Sequence, residues 1–169
     1  MKLLVTLILI VAVVRLSARE ARDMLIVVSE PGDANYEEEF RRQATAWQDL
    51  ASKAEMEVQT IGLEKETSDG DYPVLEKSLA AISKTGGDLW LVWIGHGSFD
   101  GRTANFNLRG KDIDAARMKE LLKPFTRRLV ILNLFSASAP FLPSISGNNR
   151  VIVCSGRSPG ERNYSRFGE

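Results

Sequence analysis

One histidine and one short run of serines, each directly after an apolar stretch, are the residues of this chain best suited to chemistry. Leu89 to Ile94 (LWLVWI) leads into Gly95-His96-Gly97, which holds the only histidine of 169 residues. Leu129 to Leu134 (LVILNL) leads into Phe135-Ser136-Ala137-Ser138. Consecutive strands of a parallel sheet release their carboxyl ends on one edge, where α/β proteins place ligands and catalytic groups. The His96 imidazole and the Ser136 hydroxyl are therefore expected to face one crevice. An imidazole beside a nucleophile equips a site for acyl transfer, because the ring takes the proton that the attacking group loses. The Gly97 amide is placed to donate to a developing oxyanion. Glycines on both sides of His96 permit backbone conformations closed to other residues and let a substrate approach. A buried histidine satisfied by a carbonyl, or a turn that needs two glycines, accounts for the same residues.

The serines also have a second reading, since Ser136 or Ser138 suits the N-cap of a helix beginning near Pro140. No G-x-S-x-G elbow surrounds them, which argues against an α/β-hydrolase. Asp100, close after His96 in Ser98-Phe99-Asp100-Gly101, either orients the imidazole or builds an Asx turn. Arg102, Arg109 and Lys111 form a solvated rim or bind a carboxylate. Cys154 ends the apolar run VIVC and reads as a small buried hydrophobe. Trp90 and Trp93 read as core and strand-edge packing.

Alternating strands and helices must position these groups. Met24 to Ser29 (MLIVVS) is a continuous apolar strand closed by Glu30-Pro31-Gly32-Asp33. Asn35 is expected to cap a helix whose first turn carries Glu37, Glu38 and Glu39, where the helix dipole favours them. Phe40, Ala44, Trp47 and Leu50 or Ala51 give that helix a one-sided apolar stripe ending near Ala54. Glu57 to Leu63 alternates and predicts an edge strand. A helix follows from Tyr72 to about Lys84, with Pro73 in its first turn and Gly86-Gly87 ending it. Phe99 to Gly110 reads as a loop or small hairpin. Asp112 to Lys123 is a helix with Ile113, Ala116 and Leu121-Leu122 on its apolar side. A short helix around Pro140 to Ser146 precedes a fifth strand, Arg150 to Val153. This alternation with near-continuous apolar strands predicts an α/β fold, a parallel sheet covered on both faces.

Composition narrows the function classes. Lys plus Arg equals Asp plus Glu at 22 each, so no basic footprint argues for nucleic acid or an anionic membrane surface. One histidine and one cysteine, without CxxC or HxxxH, argue against a zinc site. The acidic first strand–helix turn lacks the Gly-rich pattern that a phosphate-bearing cofactor requires, so no cofactor is expected. Lys2, the apolar run Leu3 to Val14 and the polar return at Arg15-Leu16-Ser17-Ala18 read as a signal peptide over residues 1–18. The run is too short to span a bilayer comfortably, and an uncleaved anchor is the rival reading. Export to the periplasm or outside the cell is thus expected, with no membrane association after the signal is removed. The remaining residues, 22–169, suffice for one domain. Phe167-Gly168-Glu169 closes the chain with no further strand, which makes a truncated gene or a fragment one reading. Oligomeric state stays open.

The arrangement resembles the caspase-like fold shared by caspases, legumains, gingipains and separase, in which His-Gly follows the third strand and the nucleophile the fourth. It is most similar to legumain-like peptidases and to exported bacterial caspase-like proteins, where a GHG-[ST]-F-DGR…FNLRG stretch recurs. Here that stretch is Gly95-His96-Gly97-Ser98-Phe99-Asp100-Gly101-Arg102, then Phe106-Asn107-Leu108-Arg109-Gly110. Pro159, Glu161 and Tyr164 fit the spacing of a legumain segment after the fifth strand, and the resemblance runs from Met24 to the C-terminus. It implies a three-layer sandwich, a peptide or protein ligand, His96 as catalytic histidine and the Gly97 amide as oxyanion donor. The legumain Ala-Cys-Glu-Ser-Gly stretch falls on Phe135-Ser136-Ala137-Ser138-Ala139. Ser136 therefore stands where the family has its cysteine, and Ala139 stands at its glycine. Glu161 matches an acidic residue of the legumain specificity pocket, and Asp100 and Ser138 join it as candidate substrate contacts. The pocket's basic members fall on Glu37 and Glu38, or with a gap on Arg41 and Arg42. A serine hydroxyl must lose its proton during attack, whereas a thiol is partly ionised beforehand. The resemblance thus implies a weak or inactive peptidase homologue, or a peptide-binding module without hydrolysis.

Overall fold

The computed structural model describes residues 22–64 and 68–161. The signal reading of residues 1–18 and the match at Tyr164 lie outside them. The elements run β1 (Asp23–Val28), α1 (Ala34–Lys53), β2 (Glu57–Ile61), α2 (Tyr72–Ala81), β3 (Leu89–Gly95), β4 (Gly97–Phe99), β5 (Ala104–Phe106), β6 (Ile113–Asp114), α3 (Ala115–Leu122), β7 (Leu129–Phe135), α4 (Phe141–Ile145) and β8 (Arg150–Cys154). Five strands form one sheet in the order β2-β1-β3-β7-β8, and every pairing in it is parallel. The molecule is therefore α/β with a parallel central sheet flanked by helices, as the alternation of apolar strands and helices predicts.

Both faces of the sheet are apolar because both are covered. On one face Leu25, Leu91, Trp93, Ile131 and Phe135 pack against Leu75 and Leu79 of α2, Met118 and Leu122 of α3, and Phe141 and Ile145 of α4. On the other, Met24, Ile26, Val28, Val92 and Ile94 meet Phe40, Ala44 and Ala51 of α1. The two tryptophans divide between these faces, Trp93 wholly buried and Trp90 partly buried against Trp47. The connection β1–α1–β2 moves toward one edge of the sheet, and the later connections move toward the other on the opposite face. One crossover hand thus serves throughout, as right-handed βαβ units require. Among the described residues no helix is long and apolar enough to cross a membrane.

Local chemistry moves several predicted boundaries. Asp33, not Asn35, caps α1: its carboxylate accepts the Asn35 amide at 2.8 Å. β2 is an edge strand as expected but stops at Ile61, because Gly62 turns with φ +99° and an added Cβ there would meet the Val28 carbonyl oxygen. α2 ends at Ala81 rather than near Lys84, whose ammonium folds back onto the Ala80 carbonyl at 3.0 Å. Asp114 caps α3 by accepting the Arg117 amide at 2.6 Å, so the helix starts after a short strand and not at Asp112. The loop or hairpin expected over Phe99 to Gly110 belongs to a second, three-stranded antiparallel sheet, β4-β5-β6.

Candidate active site

Strands β3 and β7 are neighbours in register to their last residues, with Gly95 opposite Phe135. His96 and Ser136 therefore leave adjacent strands at the same height and on the same edge, as the sequence predicts. That edge is also where the topology reverses. β1 connects outward to β2 and β3 connects the other way to β7, and such a switch point leaves a crevice between diverging connections.

Three strand ends fix His96. Its amide donates to the Ser29 Oγ at 2.8 Å, just beyond β1, and its carbonyl accepts the Asn107 amide at 3.1 Å. Gly95 makes this approach possible: its φ is +130°, and a Cβ there would lie 2.0 Å from the Ser29 Oγ. The imidazole sits edge-on to Tyr36, with ring centres 4.6 Å apart, and to Phe40 at 5.0 Å. Burial pulls its pKa below the ordinary 6.5, and a hydrogen bond to the Pro31 carbonyl opposes that only in part. The ring is therefore neutral near pH 7. A neutral ring has one N–H, and its other nitrogen keeps a lone pair and is a base.

Ser136 is buried, and its hydroxyl is engaged twice by the same residue. It donates to the Gly97 carbonyl at 3.0 Å and accepts the Gly97 amide at 3.2 Å. The donor expected to stabilise an oxyanion is thus occupied by the hydroxyl expected to attack. The turn that carries Ser136 is strained at Ala137, a non-glycine residue with φ +56°. The strain sits there and not at Ala139, the position that the resemblance aligns with a glycine.

Neither serine caps α4. Ser138 is fully buried and its Oγ accepts the Gly156 amide at 2.9 Å, while Pro140 occupies the cap position without a side-chain bond. This anchors the segment after β8 beside the Ser136 turn. Glu161 lies in that segment, where its carboxylate accepts the Arg157 amide at 2.8 Å; a Cβ on Gly156 would lie 3.2 Å from that carboxylate and 3.3 Å from the Ser138 Oγ. Ser138 and Glu161 are thus brought together on the β8 side of Ser136. Cys154 is only half-buried, its thiol pushed up by burial and accepting from the Asn133 amide group at 3.5 Å.

Asp100 does not join this group. Its exposed carboxylate accepts the Arg102 amide at 2.8 Å and the Thr103 amide at 2.7 Å, which is the Asx-turn reading. Tyr36, Phe40 and the Pro31 carbonyl, not Asp100, lie against the imidazole. Arg109 is no solvated rim residue: its guanidinium makes two 2.7 Å bonds to the buried Asp71 carboxylate and a third, at 2.6 Å, to the Glu64 carbonyl. Lys111 lies 4.4 Å over the Tyr72 ring. Among the described residues no group of three or more His, Cys, Asp and Glu could hold a metal ion.

Sequence reasoning missed Ser29, Pro31 and Tyr36, which hold His96, and the strap role of Asn107 and Arg109. The order of strands carries the signal for the first set. Once β1 adjoins β3, the Ser29-Glu30-Pro31 turn must abut Gly95-His96. No protein-family model and no curated protein sequence matches the chain.

Proposed function

We propose that the chain is a caspase/legumain-like peptidase homologue that keeps the peptide crevice and has lost ordinary hydrolysis, serving to bind peptide or protein chains after export. The closed Ser136–Gly97 pair carries this reading. Attack by Ser136 requires its proton to leave the Gly97 carbonyl for a base, while the Gly97 amide turns from the hydroxyl to the oxyanion. Both bonds must break before chemistry starts. A cysteine at this place would ionise ahead of the attack; a serine does not. The imidazole, for its part, is bonded to Pro31 and shielded by Tyr36 and Phe40, and makes no hydrogen bond to Ser136.

The sheet order, the His-Gly after β3 and the Ser136 turn after β7 support the caspase-like assignment, and the switch point at that sheet edge supports a ligand there. The test is a peptide library assayed for both binding and cleavage. Peptides are expected to bind with micromolar affinity to the wild type and to His96→Ala alike, because binding uses the crevice and not the base. No release of a fluorogenic leaving group is expected from either protein. Wild-type cleavage that disappears in His96→Ala would instead assign Ser136 as a working nucleophile.

A further inference from the structure

A cavity of about 320 Å³ opens at the carboxyl ends of β1 and β2, on the side of His96 away from Ser136. Two of its walls hold the imidazole: Pro31 by its carbonyl and Phe40 by its ring. We infer that this cavity takes the basic side chain, arginine or lysine, of a bound peptide, an assignment that rests on the peptide-binding reading above.

Its charges select the ligand. Glu30, Glu37, Glu64, Arg41 and Arg109 line it. Arg109 is locked onto Asp71 and the Glu64 carbonyl, so its charge is matched before any ligand arrives. Arg41 meets Glu37 at 3.3 Å. The Glu30 and Glu64 carboxylates make no ion pair among the described residues, and the cavity keeps their negative charge. The α1 dipole would draw an anion to this end, but Asp33 and Glu37 already occupy the cap and first turn. Val28, Phe40 and Leu63 supply an apolar wall for the methylene stem, the arrangement by which long cationic side chains bury their stems and keep their heads at polar groups. A side chain so placed sets its own backbone beside His96.

The experiment titrates the full chain with acetyl-arginine amide, acetyl-lysine amide, acetyl-citrulline amide and acetyl-glutamate amide, followed by amide NMR. The two basic probes are expected to move the resonances of Gly62, Leu63 and Glu64. Citrulline has the shape of arginine without the charge, and two exposed ion pairs amount to about a fivefold preference over it. That preference should vanish in the Glu30→Gln/Glu64→Gln variant, whose surface changes leave folding intact, and should shrink as salt rises. Equal binding of citrulline, a preference for the glutamate probe, or shifts away from these residues overturns the inference. Library peptides that bind without favouring a basic residue also overturn it while leaving the peptide-binding reading in place. If instead the basic probes fill the cavity while no peptide binds, the cavity's cation preference is upheld and the peptide-binding reading falls.

Discussion

His96 combines two opposed environments, and stability must register the balance. Burial against Tyr36 and Phe40 disfavours the imidazolium, and the Pro31 carbonyl offsets this only partly, so the folded pKa lies below the ordinary 6.5. Between the folded and unfolded values the unfolded chain binds more protons, and stability therefore rises with pH there. The contribution is complete above about pH 6.5 and is lost as pH falls toward the folded value. Urea melts from pH 8 to 5 should show the wild type losing stability through this window more steeply than His96→Gln. An NMR titration of the ring protons should give a midpoint below the ordinary value; a midpoint above it would mean that an anion, not a carbonyl, faces the ring. Gly97 is a second residue-scale constraint. A Cβ there would stand 2.1 Å from the Ser136 carbonyl oxygen and 2.6 Å from the Phe135 ring, neither of which can retreat. Gly97→Ala is expected to cost about 3 kcal/mol, at the upper end of overpacking, read as a drop in urea midpoint with unchanged slope.

At the scale of elements, the segment Phe106–Gly110 laces the ligand edge together. The Asn107 amide donates to the His96 carbonyl at 3.1 Å, its carbonyl accepts the Glu30 amide at 2.9 Å, and its side-chain oxygen accepts the Ser98 hydroxyl at 2.9 Å. Arg109 then reaches across to Asp71 and to the Glu64 carbonyl in the segment after β2. Arg109→Ala would leave the Asp71 carboxylate buried with no countercharge, a change that costs about 3–5 kcal/mol. Because the strap also aligns Glu30 and His96, the same variant should weaken peptide binding in the fraction that stays folded, which isothermal titration can separate from the melt. The FNLRG motif was visible in the sequence, but its role was not. A period-two or period-3.6 pattern announces β3 or α1, whereas a strap is defined by partners at Asp71, Glu30 and His96 that only the folded chain brings near. The same reason explains the serines. Ser136 after β7 was legible from the strand that precedes it, but the choice between capping α4 and closing on Gly97 depends on β3 lying alongside.

Across the whole molecule the two ends of the sheet have different duties, and Arg127 shows which end holds the fold. It lies at the amino ends of the strands, opposite the crevice, with its side chain 1% exposed. Its guanidinium pairs with Asp23 at the start of β1 and donates to the carbonyls of Gly87, of Asp88 at 3.1 Å and of Ser83 at 3.3 Å. The planar fork thereby ties β1, the α2–β3 loop and the entry to β7 at once, a geometry that the point charge of lysine does not reproduce. Removing it leaves Asp23 and three carbonyls short of a donor in a protected site. Arg127→Met should thus cost about 3–5 kcal/mol, a large share of the ~5–15 kcal/mol that holds a domain together, and Arg127→Lys should recover less than half of it. Thermal unfolding measures this directly. The site lies at the far end of the same strands, in register from Leu89↔Leu129 to Gly95↔Phe135. At a temperature where the variant is still folded, peptide affinity should therefore match the wild type. A parallel loss of affinity at that temperature would show that the clamp and the crevice are coupled through the sheet, and the division of labour between its ends would fall.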